Sequence, residues 1–177
     1  MSILHLLRIG DVDPRVLEEL RADLARGFGL PCEVLPDALD PGFAFHSGRQ
    51  QVHSTELLKR LTPLVRADSW RVLGVTAVDL FIPVLTFVFG EAQVRNSCAV
   101  VSFHRLRQEF YGLPPDAALL RDRLLKEAVH ELGHTLGLHH CEDYRCAMAP
   151  SHAVEWIDIK GAALCRDCRT RVYALRA

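Results

Sequence analysis

Residues 130–140 read HELGHTLGLHH. On a helix with ~100° per residue, His130 and His134 lie one turn apart on the same face, so both imidazoles can reach one metal ion. Glu131 lies beside them, close to such an ion without being needed as a ligand. In this arrangement a carboxylate takes a proton from zinc-bound water. We therefore predict a catalytic zinc site with Glu131 as the general base.

A third ligand requires the chain to turn back after this helix. On a continuous helix, His140 would lie ~15 Å along the axis from His130, whereas zinc–nitrogen bonds are only ~2 Å long. Gly137 is placed to end the helix, because glycine adopts the left-handed conformation without steric cost. We predict His130, His134 and His140 as the zinc ligands. His139 is the alternative third ligand. It adjoins His140 in the chain, and side chains one residue apart point in different directions.

Four of the six cysteines fall in two short-spaced pairs near the C-terminus. Cys141 and Cys146 form the first pair, and Cys165 and Cys168 form the second. Four thiolates in such pairs can close a tetrahedral zinc site with no open position, which is structural rather than catalytic. Because Cys141 directly follows His140, this zinc would fix the backbone beside the third histidine. The sequence therefore predicts two Zn²⁺ per chain, one catalytic and one structural.

The chain resembles the archaemetzincins, a branch of the metzincin clan of zinc peptidases, in several short segments. The matching residues are 130–140, 141, 146–148 and 165–168, with weaker similarity at 79–81 and 87–91. The resemblance implies a zinc metallopeptidase that hydrolyses peptide or protein substrates, as an endopeptidase or an aminopeptidase. It also implies that Met148 lies beneath the zinc-binding histidines, in a tight methionine turn.

The resemblance further implies a substrate cleft beside the zinc. Residues 85–89 are strand-like in composition, and residues 87–89 would form the sheet edge above the cleft. An extended peptide could pair with that edge in antiparallel orientation. Pro150 and Ser151 would form the wall of the pocket beyond the scissile bond. The expected substrate-binding residues at the edge are Phe87, Val88, Phe89 and Gly90.

The order of apolar runs and helical patterns predicts an α/β (α+β) fold. Proline after Asp13 and the serine at position 54 are typical of helix starts, and a third, long helix begins at Asp116. Gly27 and Gly29 are expected to end the first helix. Residues 36–47 carry Asp, Pro and Gly and are expected to form a loop. The predicted strands are residues 3–9, 32–35, 85–89 and 99–103, and the apolar run 72–81 is expected to hold a central strand followed by a turn.

These elements and the resemblance together predict a metzincin-like architecture for the chain. We expect a mixed, twisted sheet with an antiparallel edge strand, an active-site helix and a small zinc-stapled C-terminal subdomain. Residues 1–177 would form a single metallopeptidase domain. Its N-terminal subdomain, 1–137, would hold the sheet and the active-site helix. Its C-terminal subdomain, 138–177, would hold the methionine turn and the four-cysteine zinc site.

Composition and charge restrict the partners of the chain. The net charge is −1, from 21 basic and 22 acidic residues, so no strong field favours nucleic acid or anionic membrane. No signal sequence is evident, and the longest apolar run is far below the ~20 residues of a membrane span. We predict a cytoplasmic monomer. In a reducing compartment the remaining thiols, Cys32 and Cys98, are expected to be core residues.

Two other classes of function stay open at this point. One is a catalytically silent zinc protein that binds peptides or protein termini in the same cleft. The other is an interaction module built on the four-cysteine zinc, slightly supported by Arg166, Arg169 and Arg171. The neutral overall charge argues against the second class. The presence of Glu131 favours an enzyme, because a purely structural zinc site has no use for that carboxylate.

Overall fold

The computed structural model describes residues 2–176 of the 177-residue chain. Short 3₁₀ turns follow β2, α2 and β8. The helices and strands, in chain order, are β1 (Ile3–Ile9), α1 (Pro14–Phe28), β2 (Cys32–Leu39), β3 (Phe45–His46), β4 (Gln51–His53), α2 (Ser54–Leu61), β5 (Ser69–Thr76), β6 (Leu80–Phe81), β7 (Gly90–Ala92), β8 (Cys98–Ser102), α3 (Ala117–Thr135), α4 (Val154–Ile159) and α5 (Arg166–Arg176).

The main sheet has five strands in the order β2-β1-β5-β8-β7. The first four strands are parallel to one another, and β7 pairs antiparallel with β8 at the edge. The sheet is therefore mixed, with the predicted antiparallel edge strand. All five residues of β8 and the last five of β5 are buried. Such continuous apolar strands need cover on both faces.

Helices supply that cover and place the site. The residues of α1 and α3 share one apolar cluster with one face of the sheet, and the buried leucines of α2 belong to a second cluster on the other face. A third, small cluster contains Met148 and two of the cysteines, and forms the core of the C-terminal segment. Among residues 2–176, no helix has the length and apolar character needed to cross a membrane.

The first two helices begin as the sequence predicts. The Asp13 side chain accepts a hydrogen bond from the Arg15 amide at 2.9 Å, and proline follows at the first helical position. Gly29, with φ 63°, caps the end of α1. Gly27, however, is a residue of α1 and does not end it, which corrects that part of the prediction. Helix α2 begins at Ser54 as expected.

The predicted loop over residues 36–47 is partly wrong. Strand β2 continues through Pro36 to Leu39, and β3 follows a 3₁₀ turn. Proline is tolerated there because β2 is an edge strand, so the missing amide costs no central ladder bond. Strand β3 joins β4 and β6 in a small second sheet that the sequence analysis missed.

The predicted strand at residues 85–89 is wrong. In this segment, Val88 alone makes a bridge, to Leu80, and the edge strand of the main sheet begins at Gly90. Side chains satisfy two carbonyl groups that a ladder would use: Arg49 Nη2 donates to the Leu85 oxygen at 2.9 Å, and Gln51 Nε2 donates to the Thr86 oxygen at 2.9 Å. The aromatic residues of the segment contribute to the core instead.

Candidate active site

Helix α3 carries the first two histidines into the centre of the molecule. The Asp116 side chain caps its start, accepting from the Leu119 amide at 2.9 Å. The helix ends at Thr135, and Gly137 has φ 89°. The Gly137 amide donates to the His134 oxygen at 2.9 Å, which closes the turn. The chain therefore doubles back at the predicted glycine.

This turn brings three histidines together. The ligand nitrogens of His130, His134 and His140 all lie within 4.8 Å of one another. The ring centroid of His140 is 5.2 Å from that of His130 and 5.1 Å from that of His134. The neighbouring His139 lines the same cavity but is not in this group of ligand atoms.

Hydrogen bonds decide which ring nitrogens face the common point. His130 Nδ1 lies 2.8 Å from the Ala147 oxygen, and His134 Nδ1 lies 2.8 Å from the Leu138 oxygen. A carbonyl oxygen only accepts, so each Nδ1 must carry the hydrogen and donate. Each Nε2 of the neutral rings then bears a lone pair, and the two Nε2 atoms are 3.1 Å apart. Two lone pairs at that distance repel unless a cation lies between them.

The electrostatics of the histidines also suit a metal. Burial, and then the nearby positive charge of Lys160, lowers the pKa of His130 to about 2. Burial likewise lowers the pKa of His134 and of His140. Neutral imidazoles are the form that binds metal, and three of them with one open position match a catalytic zinc site. The donor set therefore fits Zn²⁺.

Glu131 lies in a confined position beside these histidines. Only 6% of the residue is exposed. A Cβ on Gly90 would lie 2.8 Å from Glu131 Oε1 and 2.6 Å from the Val100 oxygen, so the carboxylate fits there because position 90 has no side chain. Burial, and then the charge of Glu127, raises the pKa of Glu131 well above its ordinary value. A carboxylate in such surroundings readily accepts a proton.

A cavity of about 750 Å³ opens onto these groups. Glu131 and the three histidines line it, as do Pro150 and Ser151, which we expected at the pocket wall. The Ser151 hydroxyl is buried and has no hydrogen-bond partner. His152 lines the cavity too. The four predicted edge residues are also among its walls, namely Phe87, Val88, Phe89 and Gly90.

Sequence reasoning missed three charged residues at this site. Glu91 lines the cavity and accepts a hydrogen bond from Thr55 Oγ1 at 2.9 Å. Glu127 also lines it, and Lys160 forms an ion pair with Glu127 at 2.7 Å. Helical spacing could have found Glu127, because it lies one turn before Glu131. No signal in the sequence marks Lys160, which is 33 residues away from its partner.

Met148 lies directly against α3, beneath the histidines. It is completely buried, and a Cβ on Gly133 would lie 2.2 Å from its sulfur. Gly133 stands between His130 and His134 along the helix. The absence of a side chain at position 133 therefore lets the methionine approach the helix backbone.

Replacing Gly133 with alanine should destabilise the protein, because the new methyl group overlaps the Met148 sulfur. Overpacking of this kind costs about 1–3 kcal/mol, which thermal unfolding will measure. Gly27→Ala is the matched control, since Gly27 occupies an exposed position of α1 where its Cβ would meet nothing within 4 Å. There the change should stabilise by about 0.5–1 kcal/mol. Equal unfolding temperatures for the two variants would contradict the close approach.

The four predicted cysteines form a second cluster. The sulfur atoms of Cys141, Cys146, Cys165 and Cys168 all lie within 4.8 Å of one another, and the four thiols are free. Backbone amides point at two of these sulfur atoms: the Cys165 amide lies 3.3 Å from Cys146 Sγ, and the Cys168 amide lies 3.5 Å from Cys165 Sγ. The amide of Cys168 lowers the pKa of Cys165. Four converging sulfur donors fit a closed tetrahedral zinc site.

The remaining cysteines lie elsewhere in the fold. Cys32 begins β2 and Cys98 begins β8, and both are buried core residues, as predicted. Neither belongs to a group of potential metal ligands among the described residues.

Comparison with known proteins assigns the chain to a family. Residues 43–174 match peptidase family M54. The chain belongs to this family, the archaemetzincins. An archaemetzincin from Methanocaldococcus jannaschii is 45% identical over 160 residues, covering 90% of this chain and 87% of the relative. One from Pyrococcus furiosus is 38% identical over 174 residues, covering 94% and 90%.

Solved structures of archaemetzincins and a related peptidase share the fold. The archaemetzincin from Archaeoglobus fulgidus, in complex with malonate, has a TM-score of 0.84 at 34% identity and covers 96% of this chain and 99% of its own. A zinc-dependent peptidase from Methanocorpusculum labreanum has a TM-score of 0.87 at 29% identity, with the same coverage. As an archaemetzincin, this chain is a zinc metallopeptidase that acts on peptides or proteins.

Proposed function

We propose that this archaemetzincin, as a single-domain monomer, hydrolyses peptide bonds at the cavity beside α3. His130, His134 and His140 would hold the catalytic zinc, and the four-cysteine cluster would hold a structural zinc. The single observation that carries this proposal is the approach of the two Nε2 atoms to 3.1 Å, beside the third histidine and a buried carboxylate, while both Nδ1 atoms face backbone oxygens. That combination serves an open metal site better than a closed, structural one.

Glu131 would act as the general base and then as the general acid. A zinc ion with three histidine ligands lowers the pKa of a water ligand to about 7 and polarises a substrate carbonyl. Glu131 would take the proton from the attacking water and deliver it to the leaving amine. Its buried surroundings, which favour the protonated carboxyl, suit it to hold that proton between the two steps.

The cavity also suits a protein that only binds peptides, which is the alternative function. Glu131 argues for hydrolysis, because an ionised carboxylate in a buried site opposes folding and adds nothing to the metal-ligand set.

A digest of a peptide library will separate the two functions. We expect cleavage by the zinc-loaded protein and none after chelator treatment. Products that persist with the chelator, or peptides bound without cleavage by the loaded protein, would reject the proposal. The cleavage sites will also show whether the enzyme is an endopeptidase or an aminopeptidase.

His140→Ala should remove one of the two zinc ions, because two histidines alone leave the site incomplete. Elemental analysis after dialysis at low free zinc measures this directly. His139→Ala is the matched control, as its ring lines the cavity outside the ligand group and should leave both ions bound. Loss of zinc from the His139 variant and not from the His140 variant would reverse the ligand assignment.

A further inference from the structure

Lys160 is completely enclosed, next to the histidine site. Its side chain is 0% exposed, although it carries a charge. Its ammonium lies close to two parts of the fold, helix α3 and the backbone at Ala149. Nζ lies 2.7 Å from Glu127 Oε1 on α3 and donates to the backbone oxygen of Ala149 at 3.2 Å. It also lies 3.5 Å from His130 Nδ1, but this is not a hydrogen bond, because both nitrogens are donors. It follows α4 directly, so it joins the end of that helix to the site.

Stability alone does not account for this buried ion pair. Removing two charges from water costs several kcal/mol per ion, and their mutual attraction often fails to repay it. Apolar residues of the same volume frequently make a protein more stable than a buried pair does. The Glu127 carboxylate is the only negative group within ion-pair distance of Lys160 among the described residues. A pair that is neutral or costly for folding, placed at a metal site, points to a role at that site.

The contacts show what the pair can hold. His130 Nδ1 donates to the Ala147 oxygen at 2.8 Å, and Lys160 Nζ donates to the Ala149 oxygen two residues later. Both acceptors belong to the backbone around Met148. Glu127 lies one helical turn before His130 and anchors the ammonium from the same helix. Lys160 therefore ties the segment that orients the His130 ring to the helix that carries that ring.

We propose that Lys160 and Glu127 act together as positioning residues for the metal ligand His130. By fixing the backbone around Met148 relative to α3, the pair keeps the Ala147 oxygen where it orients His130 and selects its Nδ1–H tautomer. Groups that orient a metal-binding histidine through its other ring nitrogen typically contribute 10–100-fold to metal affinity. This inference rests on the proposed function, since it requires His130 to be a zinc ligand.

Zinc binding to the metal-free protein tests the proposal without a substrate. The variants are Lys160→Met, Glu127→Met and the double variant, which replace the ion pair by apolar groups of similar size. Competition with a chelator resolves zinc binding at the two sites as separate steps. The step that is absent in His140→Ala is the one at the histidine site. We expect Lys160→Met to weaken that step by about 10–100-fold and to leave the four-cysteine step unchanged. Because the two residues act as a unit, the double variant should bind no more weakly than Lys160→Met.

Lys126→Met is the matched control on the same helix. Lys126 is also nearly buried and forms an ion pair with Asp122 at 2.6 Å, but both residues belong to α3, so this pair ties no other segment to the helix. The proposal is overturned if Lys160→Met and Lys126→Met weaken the histidine step equally, or if the two single effects add in the double variant. It is also overturned if both zinc steps weaken in proportion to a fall in unfolding temperature, as a merely structural role requires. If the wild type shows no zinc-binding step that is lost in His140→Ala, the proposed function is rejected as well.

Discussion

Glu131→Gln should lower kcat by about 10²–10⁴-fold, the usual contribution of a positioned general base, while both zinc ions stay bound. Glutamine has the shape of glutamate and fits the space beside Gly90, but it cannot accept the proton from water. Steady-state hydrolysis of a peptide cleaved by the wild type, with metal content measured alongside, gives both quantities. A variant that keeps more than a tenth of the wild-type kcat would show that another group is the base.

The same variant has a distinct effect on stability. Burial raises the pKa of Glu131, so its ionisation opposes folding once the pH exceeds the ordinary carboxyl pKa. At pH 7 the metal-free Glu131→Gln protein should therefore unfold at the same temperature as the wild type or higher. Glu109→Gln, on an exposed turn away from the cavity, serves as the control and should change neither kcat nor metal content. Lower stability of the Glu131 variant would mean that its loss of turnover reflects damage to the fold.

Replacing both Cys165 and Cys168 with serine should remove the structural zinc and disorder the segment that follows the active-site helix. Structural zinc contributes an apparent ~10–16 kcal/mol in zinc-finger peptides, as much as the whole stability of a typical domain, ~5–15 kcal/mol. The small cluster around Met148 has few other apolar contacts to replace it. Limited proteolysis should cut this segment in the variant and spare it in the wild type.

Loss of the structural zinc should also weaken the catalytic site. The Cys141 amide donates to the Met148 oxygen at 2.9 Å, and the Ala147 oxygen accepts from His130 at 2.8 Å. The cysteine cluster thus frames the backbone that orients His130, a proposed zinc ligand. Unchanged zinc affinity at the histidine site in the double variant would refute this coupling. Cys98→Ala, which removes a buried thiol of the sheet, is the control and should leave both zinc ions bound.

The two clusters of proposed metal ligands could be predicted from the sequence because their geometry is local. The distance between His130 and His134 follows from helix spacing alone. The turn at Gly137 follows from the reach of a zinc–nitrogen bond, and the observed φ of 89° agrees with it. The two cysteine pairs are likewise short-spaced, so each pair is a local feature. The approach of the two pairs to each other was predicted from the four thiolates that a closed tetrahedral zinc site needs, and the four sulfur atoms do converge.

Features that depend on distant partners were missed. The composition of residues 85–89 is typical of a strand, but a strand also needs a neighbour to pair with, and this segment has one bridge, at Val88. Side chains of Arg49 and Gln51, more than 30 residues earlier, bind its carbonyl groups instead. The ion pair of Lys160 with Glu127 is of the same kind. Neither residue is unusual locally, and only the folded chain makes them neighbours.

The strand at the rim of the cavity, β7, spans only Gly90–Ala92. Three residues of extended chain measure ~10 Å. A peptide aligned with β7 can therefore form main-chain hydrogen bonds with it over only about three residues. Main-chain bonding tolerates any residue, whereas side-chain contacts discriminate among them. Because so few main-chain hydrogen bonds are available, contacts with individual side chains provide most of the discrimination between substrates. The enzyme should therefore distinguish substrates by which residues flank the cleaved bond more than by how long they are.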